Sequence, residues 1–250
     1  MKHEWEYGEL LTDDTPEEGD PEEWHTTKRT RRHYIVKGRL IKAGWELKTH
    51  DAALSNFTLT AGTAATGGEE DPSPANCLNG IGQGDTGALR DGRKYVMKSI
   101  YINGMIRANS QDSQTSLDLQ PLVFIALVLD KQTNGAQLNS EDVFQNIAGS
   151  SVTAAIPLRN IEYASRFTVL ATKHILIRDI IAAYNGTNMS QSGVQFPWCI
   201  KKKFNIPVTC TGTGATVSDI SDNSLHIIAF KSFEDLNVNV WYQSRIRFYG

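Results

Sequence analysis

The sequence predicts an all-β fold, a single jelly roll of about eight strands in two packed antiparallel sheets with one short helix. Three observations predict it. Strand-like segments follow one another from residue 34 to the C-terminus and are separated by turn-forming residues. The segment LVFIALVLD (122–130) is apolar on both faces, as in a central strand that is covered on both sides. Only NSEDVFQNI (139–147) has the pattern of a helix.

Two strands are predicted before this central strand. The first comprises HYIVKGRLIK (33–42) and WELKTHD (45–51), with a bend at Gly44. Residues 52–92 are predicted to be a long connection, because they are rich in Gly, Thr and Ala. The second strand is KYVMKSIYINGMI (94–106). Its alternation places four aliphatic residues on one face: Val96, Ile100, Ile102 and Ile106.

The predicted helix follows the central strand, with Ser140 as its N-cap and acidic residues in its first turn. RFTVLAT and KHILIRD (166–179) then predict two short strands or one long bent strand. SLHIIAFKS (224–232) predicts a further strand.

The two remaining strands differ in character. CIKKKFNIPVTC (199–210) is preceded by Pro197 and interrupted by Pro207, which favours an edge strand. VNVWYQSRIRFY (238–249) alternates strictly between two faces. One face has Val238, Val240, Tyr242, Ile246 and Phe248, and the other has Trp241, Gln243, Arg245 and Arg247. We therefore expect this last strand to be part of the core.

The 250-residue chain has a net charge of −3, but its charges are unevenly distributed. Residues 1–27 hold ten acids against Lys2, and residues 28–48 hold eight bases against Glu46. We predict an N-terminal arm (1–33), made of an acidic tail and a basic cluster, and a jelly-roll domain (34–250). The predicted contacts to nucleic-acid phosphates are Lys28, Arg29, Arg31, Arg32, Lys37 and Arg39.

This basic cluster has two other interpretations. It could pair with the acidic tail, within one subunit or between subunits, and it also matches the pattern of a nuclear import signal. Trp198 and Trp241 are predicted to be packing or subunit-interface anchors, with stacking on bases as the alternative. The lysines 201–203 could line the interior of a shell or protect an exposed edge strand from aggregation.

Two motifs match known sites in spacing but not in context. IGQGDTG (81–87) has the glycine spacing of a dinucleotide-binding fingerprint. Its lead-in contains prolines, and a strand rather than a helix is predicted to follow, so we predict a loop and no cofactor. DKQTNGAQLNSE (130–141) partly matches an EF-hand loop but follows a strand. A tight turn at Asn134-Gly135 is the simpler interpretation.

Other classes of site receive no support from the sequence. The three cysteines are widely spaced, and the six histidines show no metal-ligand spacing. We therefore expect no metal, no cofactor and no catalytic residues. No apolar run reaches about 18 residues, so we expect no membrane partner.

Six segments, in order over residues 45–250, together resemble one family. They are WELKTHD, LNGIGQGDTGALRDGRKYVMKSIYINGMI, VFIALVLDKQTNGAQLNSEDVF, PLRNIEYASRFTVLATKHILI, KKKFNIPVTCTGTGATVSDISDNSLHIIAF and YQSRIRFYG. The chain resembles the capsid proteins of small circular single-stranded DNA viruses that encode a rolling-circle replication protein, the circovirus-like group. The resemblance implies a coat protein that self-assembles into a small icosahedral shell with a T=1 lattice around a circular single-stranded DNA genome. It implies location in the virion, and the match of the basic cluster to a nuclear import signal makes the host nucleus a possible location during assembly.

The N-terminus departs from the family's pattern, in which a long arginine-rich arm binds the genome. Here an acidic tail precedes one short basic run, KRTRRH (28–33), which weakens the expectation of genome binding by the arm. Two rival classes are kept open. A jelly-roll carbohydrate-binding module should be monomeric and carry clustered exposed aromatic residues. A β-fold enzyme should have a pocket with converging titratable groups.

Overall fold

The structure of the protein is a computed structural model. It describes residues 34–36, 39–41, 46–59, 77–109, 122–145, 157–177, 182–184, 189–191, 195–232 and 237–250. The chain divides into two units, Met1–Gly44 and Trp45–Gly250. In the first unit, β1 (Tyr34–Val36) pairs with β2 (Arg39–Ile41) as antiparallel strands. The division between arm and jelly-roll domain at residue 33 stays a prediction.

The second unit is built almost entirely from strands. In chain order its elements are β3 (Leu47–Leu59), β4 (Lys94–Asn109), β5 (Leu122–Asp130), α1 (Ser140–Val143), β6 (Phe144–Gln145), β7 (Leu158–Arg159), β8 (Phe167–Leu176), β9 (Ala182–Tyr184), β10 (Met189–Gln191), β11 (Phe196–Cys210), a 3-10 turn (Val217–Asp219), β12 (Ile220–Asp222), β13 (Ser224–Lys231) and β14 (Asn237–Tyr249). The segment 166–179 thus forms one strand, β8, over most of its length.

Two antiparallel sheets contain the long strands. The larger sheet has the order β12-β11-β4-β14-β3, and the smaller has the order β13-β5-β8. The last strand, β14, therefore lies between β3 and β4, so the chain returns from its end to pair with its first long strands. Such a return connection is typical of the Greek keys from which a jelly roll is made. The predicted all-β jelly-roll class is confirmed.

The central strand β5 is buried on both faces, as its sequence predicts. On one face, Val123, Ile125 and Leu127 belong to the main core between the two sheets. On the other face, Phe124 and Val128 belong to a second apolar cluster that also contains residues of α1 and β6. The smaller sheet is thus covered on its outer side by the connection that follows β5.

The last strand also packs as predicted. Its inward residues Val238, Val240, Tyr242, Ile246 and Phe248 are all buried at 1% exposure or less. Strand β11 pairs with β4 along its length but with β12 only at its C-terminal end. Among the described strands, most of β11 is therefore an edge, which agrees with its two prolines.

Four predictions about the bounds of local elements are wrong. Residues 34–41 do not join WELKTHD in one strand, because β1 and β2 pair with each other. The connection after the first long strand begins later than predicted, because β3 continues to Leu59. The helix is only Ser140–Val143, since Phe144 is already extended and pairs in β6, and the N-cap is Asn139, whose side chain accepts from the Glu141 backbone N–H.

The predicted inward face of β4 is correct only in its C-terminal part. Ile100, Ile102 and Ile106 are buried, but Val96 is not part of the core, where Tyr95 and Met97 are buried instead. The pairing with β14 passes from Ser99 to Met97 while β14 advances one residue. This β-bulge inserts one extra residue into β4 and reverses the alternation of the faces before it.

Candidate functional site

The predicted contacts to nucleic acid lie in the N-terminal unit. Lys28, Arg29, Arg31, Arg32 and Lys37 lie outside the described residues, and Arg39 is described only by its backbone, as the first residue of β2. No side-chain geometry is assigned to this group, and it stays a prediction.

The two predicted interface anchors lie on opposite faces of the large sheet. The Trp198 side chain points inward, is 5% exposed and packs directly over Gly104, where an added Cβ would overlap the indole ring. Trp241 is half-buried on the outer face, opposite Met105 of β4. The sheet thus keeps Trp198 inside the chain and presents Trp241 outward, while the role of either residue in an interface stays a prediction.

The glycine-rich segment 81–87 forms a loop that is held by two buried cations. Arg90 is fully buried and donates to the carbonyl oxygens of Ile81 (2.8 Å), Gly92 (2.5 Å) and Gly212 (2.5 Å). Lys48, from β3, donates to the carbonyl oxygen of Leu89 (2.9 Å).

The same ammonium group of Lys48 forms an ion pair with Asp91. Within the loop, the carbonyl oxygens of Ile81 and Thr86 accept from these two buried cations. The N–H groups of Gln83 and Gly84 donate to backbone carbonyls, whereas a phosphate-binding loop directs its N–H groups at an anion. The element that follows is strand β4, as predicted.

A buried polar cluster occupies the end of the small sheet. Asp130 is fully buried and accepts two hydrogen bonds from Arg166, at 2.9 and 2.7 Å. These bonds raise the pKa of Arg166. Asn134 and Gly135, with φ of 52° and 69°, form the predicted tight turn just after β5. Asp130 thus serves a structural ion pair.

His226 lies in the same cluster and is fully buried. Its Nε2 is 2.7 Å from Ser224 Oγ, which itself accepts a hydrogen bond from Thr133 Oγ1 at 2.8 Å. The Ser224 hydroxyl proton is therefore available to a neutral imidazole ring. Burial lowers the pKa of His226 from 6.5 to about 4, so the ring is neutral at neutral pH.

One pocket of about 430 Å³ opens between β8 and β11. Its lining consists of Tyr101, Asn103, Lys173, His174, Ile175, Pro197, Trp198 and Cys199. The His174 ring packs against Phe124 with 5.0 Å between ring centroids. In the described part of the chain no hydrogen bond joins His174 to Cys199 or Lys173, so the pocket presents no paired base and nucleophile there. The described residues also contain no cluster of three His, Cys, Asp or Glu placed to hold a metal ion.

An exposed apolar segment comprises β7 and the loop that follows it. Leu158, Ile161 and Tyr163, here called the apolar loop patch, are 67%, 81% and 39% exposed. The loop is nevertheless well ordered by hydrogen bonds. Arg159 donates to the carbonyl oxygens of Ala164 and Phe167, and the Asn160 N–H donates to Val143. A fixed segment that exposes three large apolar side chains is typical of a protein–protein contact.

The outer face of the large sheet is cationic. The side chains that point away from the core on β4, β11 and β14 include six bases, here called the cationic face: Lys98, Arg107, Lys201, Lys203, Arg245 and Arg247. Directly opposite Arg245 on β3 is Asp51, which accepts two hydrogen bonds from the guanidinium group at 2.6 Å. These hydrogen bonds lower the pKa of Asp51. At the end of the sheet, Thr209 of β11 lies in register between Lys94 of β4 and Asp222 of β12.

No helix of the described ranges is both long enough and apolar enough to cross a membrane. The sequence alone did not single out the apolar loop patch, and it showed the cationic face only in part, as the lysines 201–203 and the outward residues of the last strand. The first is hidden in a short strand and an irregular loop, and the second is defined in full only by the register of three strands from distant parts of the chain.

The strand order of the two sheets defines a jelly-roll β-sandwich. No family model matches the sequence, and no curated protein matches it. Among solved structures, the decameric BFDV capsid protein is 10% identical, with a TM-score of 0.28, 83% of this chain covered and 99% of that one. The 60-mer BFDV capsid protein is 10% identical, with a TM-score of 0.27 and coverages of 82% and 94%. The infectious bursal disease virus VP2 subviral particle is 10% identical, with a TM-score of 0.19 and coverages of 82% and 41%. At these values the assignment of the fold rests on the strand order itself.

Proposed function

We propose that this chain is a viral coat protein that self-assembles into a small icosahedral shell, with a T=1 lattice, around a circular single-stranded DNA genome. Two observations support the proposal: the ordered sequence resemblance over residues 45–250 and the jelly-roll strand order of that same segment. The function of such a coat protein is structural, because the two packed sheets form a rigid block whose loops meet neighbouring copies. Closed symmetry repeats a heterologous contact around each threefold and fivefold axis and an isologous contact across each twofold axis.

The observation that carries self-assembly is the apolar loop patch. Ile161 is 81% exposed although the loop around it is fixed by backbone hydrogen bonds. A contact made by a loop that is already ordered loses less conformational entropy on association than a flexible one. Leu158, Ile161 and Tyr163 lie within one stretch of six residues, and we expect one neighbour to cover all three. Their burial by a second copy removes apolar surface from water.

A charge placed in this patch tests the proposal. Ile161→Asp should prevent assembly without unfolding the protein, because the side chain makes little contact within the chain. Leu47→Asp is the matched control, since Leu47 is also an exposed aliphatic residue, 50% exposed, but lies in β3 far along the chain from the patch. Light scattering after gel filtration should show large particles for the wild type and for Leu47→Asp, and a small species for Ile161→Asp. Equal particle masses for the two variants would show that the patch is not part of the assembly contact.

The basic cluster of the arm is the second part of the proposal. In the virion we expect Lys28, Arg29, Arg31, Arg32, Lys37 and Arg39 to contact the genome through its phosphates. We also expect the acidic residues of 1–27 to pair with this cluster and to weaken that contact. The cluster can act as a nuclear import signal when it is free of the tail. Trp198 and Trp241 remain the proposed anchors of packing and subunit contact.

A further inference from the structure

We infer that the cationic face of the large sheet is a binding surface for single-stranded nucleic acid, separate from the basic cluster of the arm. This inference does not depend on the shell, because it concerns one surface of one chain.

The strand register brings the cations of this face into adjacent rows. In one row, Arg245 of β14 lies opposite Tyr101 of β4, which lies opposite Lys201 of β11. In the next row, Arg247 lies opposite Ser99, which lies opposite Lys203. Within a strand, successive cations on this face are two residues, or about 6.6–6.8 Å, apart. The face therefore presents a grid of positive charges, whereas the chain as a whole carries −3.

Aromatic rings are interleaved with these cations. The Lys201 Nζ lies 5.0 Å from the centroid of the Tyr101 ring, and the Lys98 Nζ lies 5.1 Å from that of Tyr249. Tyr101 is 40% exposed, and Trp241 is half-buried on the same face. Cations that follow a backbone, together with aromatic rings on which bases stack, are the features of a surface that binds single strands without sequence preference.

The outer side of the small sheet is covered, whereas outward residues of the large sheet are exposed. The cover of the small sheet is an apolar cluster around Phe124, Phe144 and Phe230. On the large sheet, the outward residues at positions 197, 199, 201 and 203 of β11 are all exposed, as are Arg245 and Arg247. With Lys94 the outward face holds, among the described residues, seven bases against two acids, Asp222 and Asp51, of which Asp51 is already paired with Arg245, so charge complementarity selects a polyanion. An acidic peptide has the charge but no base to stack on Tyr101 or Trp241, which favours nucleic acid.

The run Lys201-Lys202-Lys203 provides a matched pair of variants. Lys203 projects from the cationic face, whereas Lys202 lies opposite the buried Ile100 and projects from the other face. Both lysines are exposed, and both substitutions to Glu make the same change of charge. Lys203→Glu should weaken binding, Lys201→Glu with Lys203→Glu should weaken it further, and Lys202→Glu should match the wild type.

The experiment uses the full chain with its arm intact. Nucleic acid is removed in high salt, and a fluorescent dT20 oligonucleotide is titrated at several salt concentrations between 50 and 200 mM. Removal of one lysine–phosphate pair should reduce the steepness of the plot of log affinity against log salt concentration by at least about 0.7. Over this fourfold range of salt, the variant should therefore lose about 2.6-fold less affinity than the wild type. Tyr101→Ala should weaken binding about fivefold or more at every salt concentration, and Tyr101→Phe should restore it.

Two results would overturn the inference. The first is equal binding by Lys202→Glu and Lys203→Glu. The second is displacement of dT20 by polyglutamate at equal concentrations of charge, which would make the face a site for acidic polypeptides. Particle mass is measured on the same samples, so that loss of DNA binding with normal particles refutes the surface without refuting the shell.

Discussion

The buried histidine makes the stability of the protein depend on pH in a defined direction. His226 has a pKa of about 4 in the folded protein, against 6.5 when unperturbed, because burial disfavours the imidazolium ion. The unfolded chain therefore binds more protons between these two values, so stability falls as pH falls from about 6.5 to about 4. Asp130 and Arg166 are the charged groups that act on the ring, the first raising its pKa and the second lowering it.

The expected decrease in stability follows from the two pKa values. At 1.36 kcal/mol per pKa unit, protonation of His226 should remove about 2.5 kcal/mol of the free energy of unfolding between pH 7.5 and pH 4.5. The cost arises first from burial of the ring, which removes water from the imidazolium ion. Other groups also titrate over this range. The quantity to compare is therefore the pH-dependent decrease in wild type minus that in His226→Gln, which cannot be protonated.

Urea denaturation at pH 7.5, 6.0, 5.0 and 4.5 measures this difference. Both proteins should be studied in the Ile161→Asp background, so that dissociation of particles does not contribute. The wild-type curve should fall by about 2.5 kcal/mol more than the His226→Gln curve, mostly between pH 6 and pH 4.5. Parallel decreases in the two proteins would show that His226 is solvated in the folded state, contrary to its position in the core.

Three further predictions concern packing and the N-terminus. Phe248 is fully buried, so Phe248→Ala should lower the free energy of unfolding in urea by about 3–5 kcal/mol, and a decrease below about 1 kcal/mol would exclude β14 from the core. Gly104→Ala should cost about 1–3 kcal/mol in the same assay by displacing Trp198, and an unchanged stability would contradict their close approach. Deleting residues 2–23 should raise the ratio of absorbance at 260 nm to that at 280 nm in purified protein, and an unchanged ratio would show that the acidic tail does not mask the basic cluster.

Alternation of residue type predicted the strands wherever their pairing is regular. In β14, five inward residues alternate with outward residues of which only Trp241 is apolar, and the buried residues agree with this face. In β5, a run of eight apolar residues before Asp130 correctly indicated burial on both sides. The same rule failed in β4, because the bulge between Met97 and Ser99 depends on the pairing with β14 and has no local signal.

Long-range pairing also explains the other differences. Four residues of the predicted helix became α1, but Phe144 buries its ring against Phe124 and Phe230 in an extended conformation instead. Tertiary packing thus outweighed the local helical pattern. The cationic face was only partly visible in the sequence, as a run of three lysines. Which lysines share a face with Arg245 and Arg247 is decided by the register of β11 and β14 on β4.

The mass and shape of the purified wild-type protein test the central claim most directly. The chain should be expressed alone, with its mass measured by light scattering at micromolar concentration and moderate salt and its shape examined by electron microscopy. A closed T=1 shell contains sixty copies of the 27.7 kDa chain, so we predict uniform round particles of about 1.7 MDa. A single species of 27.7 kDa at all concentrations, with no particles on the grid, would contradict the proposal and favour a monomeric binding module.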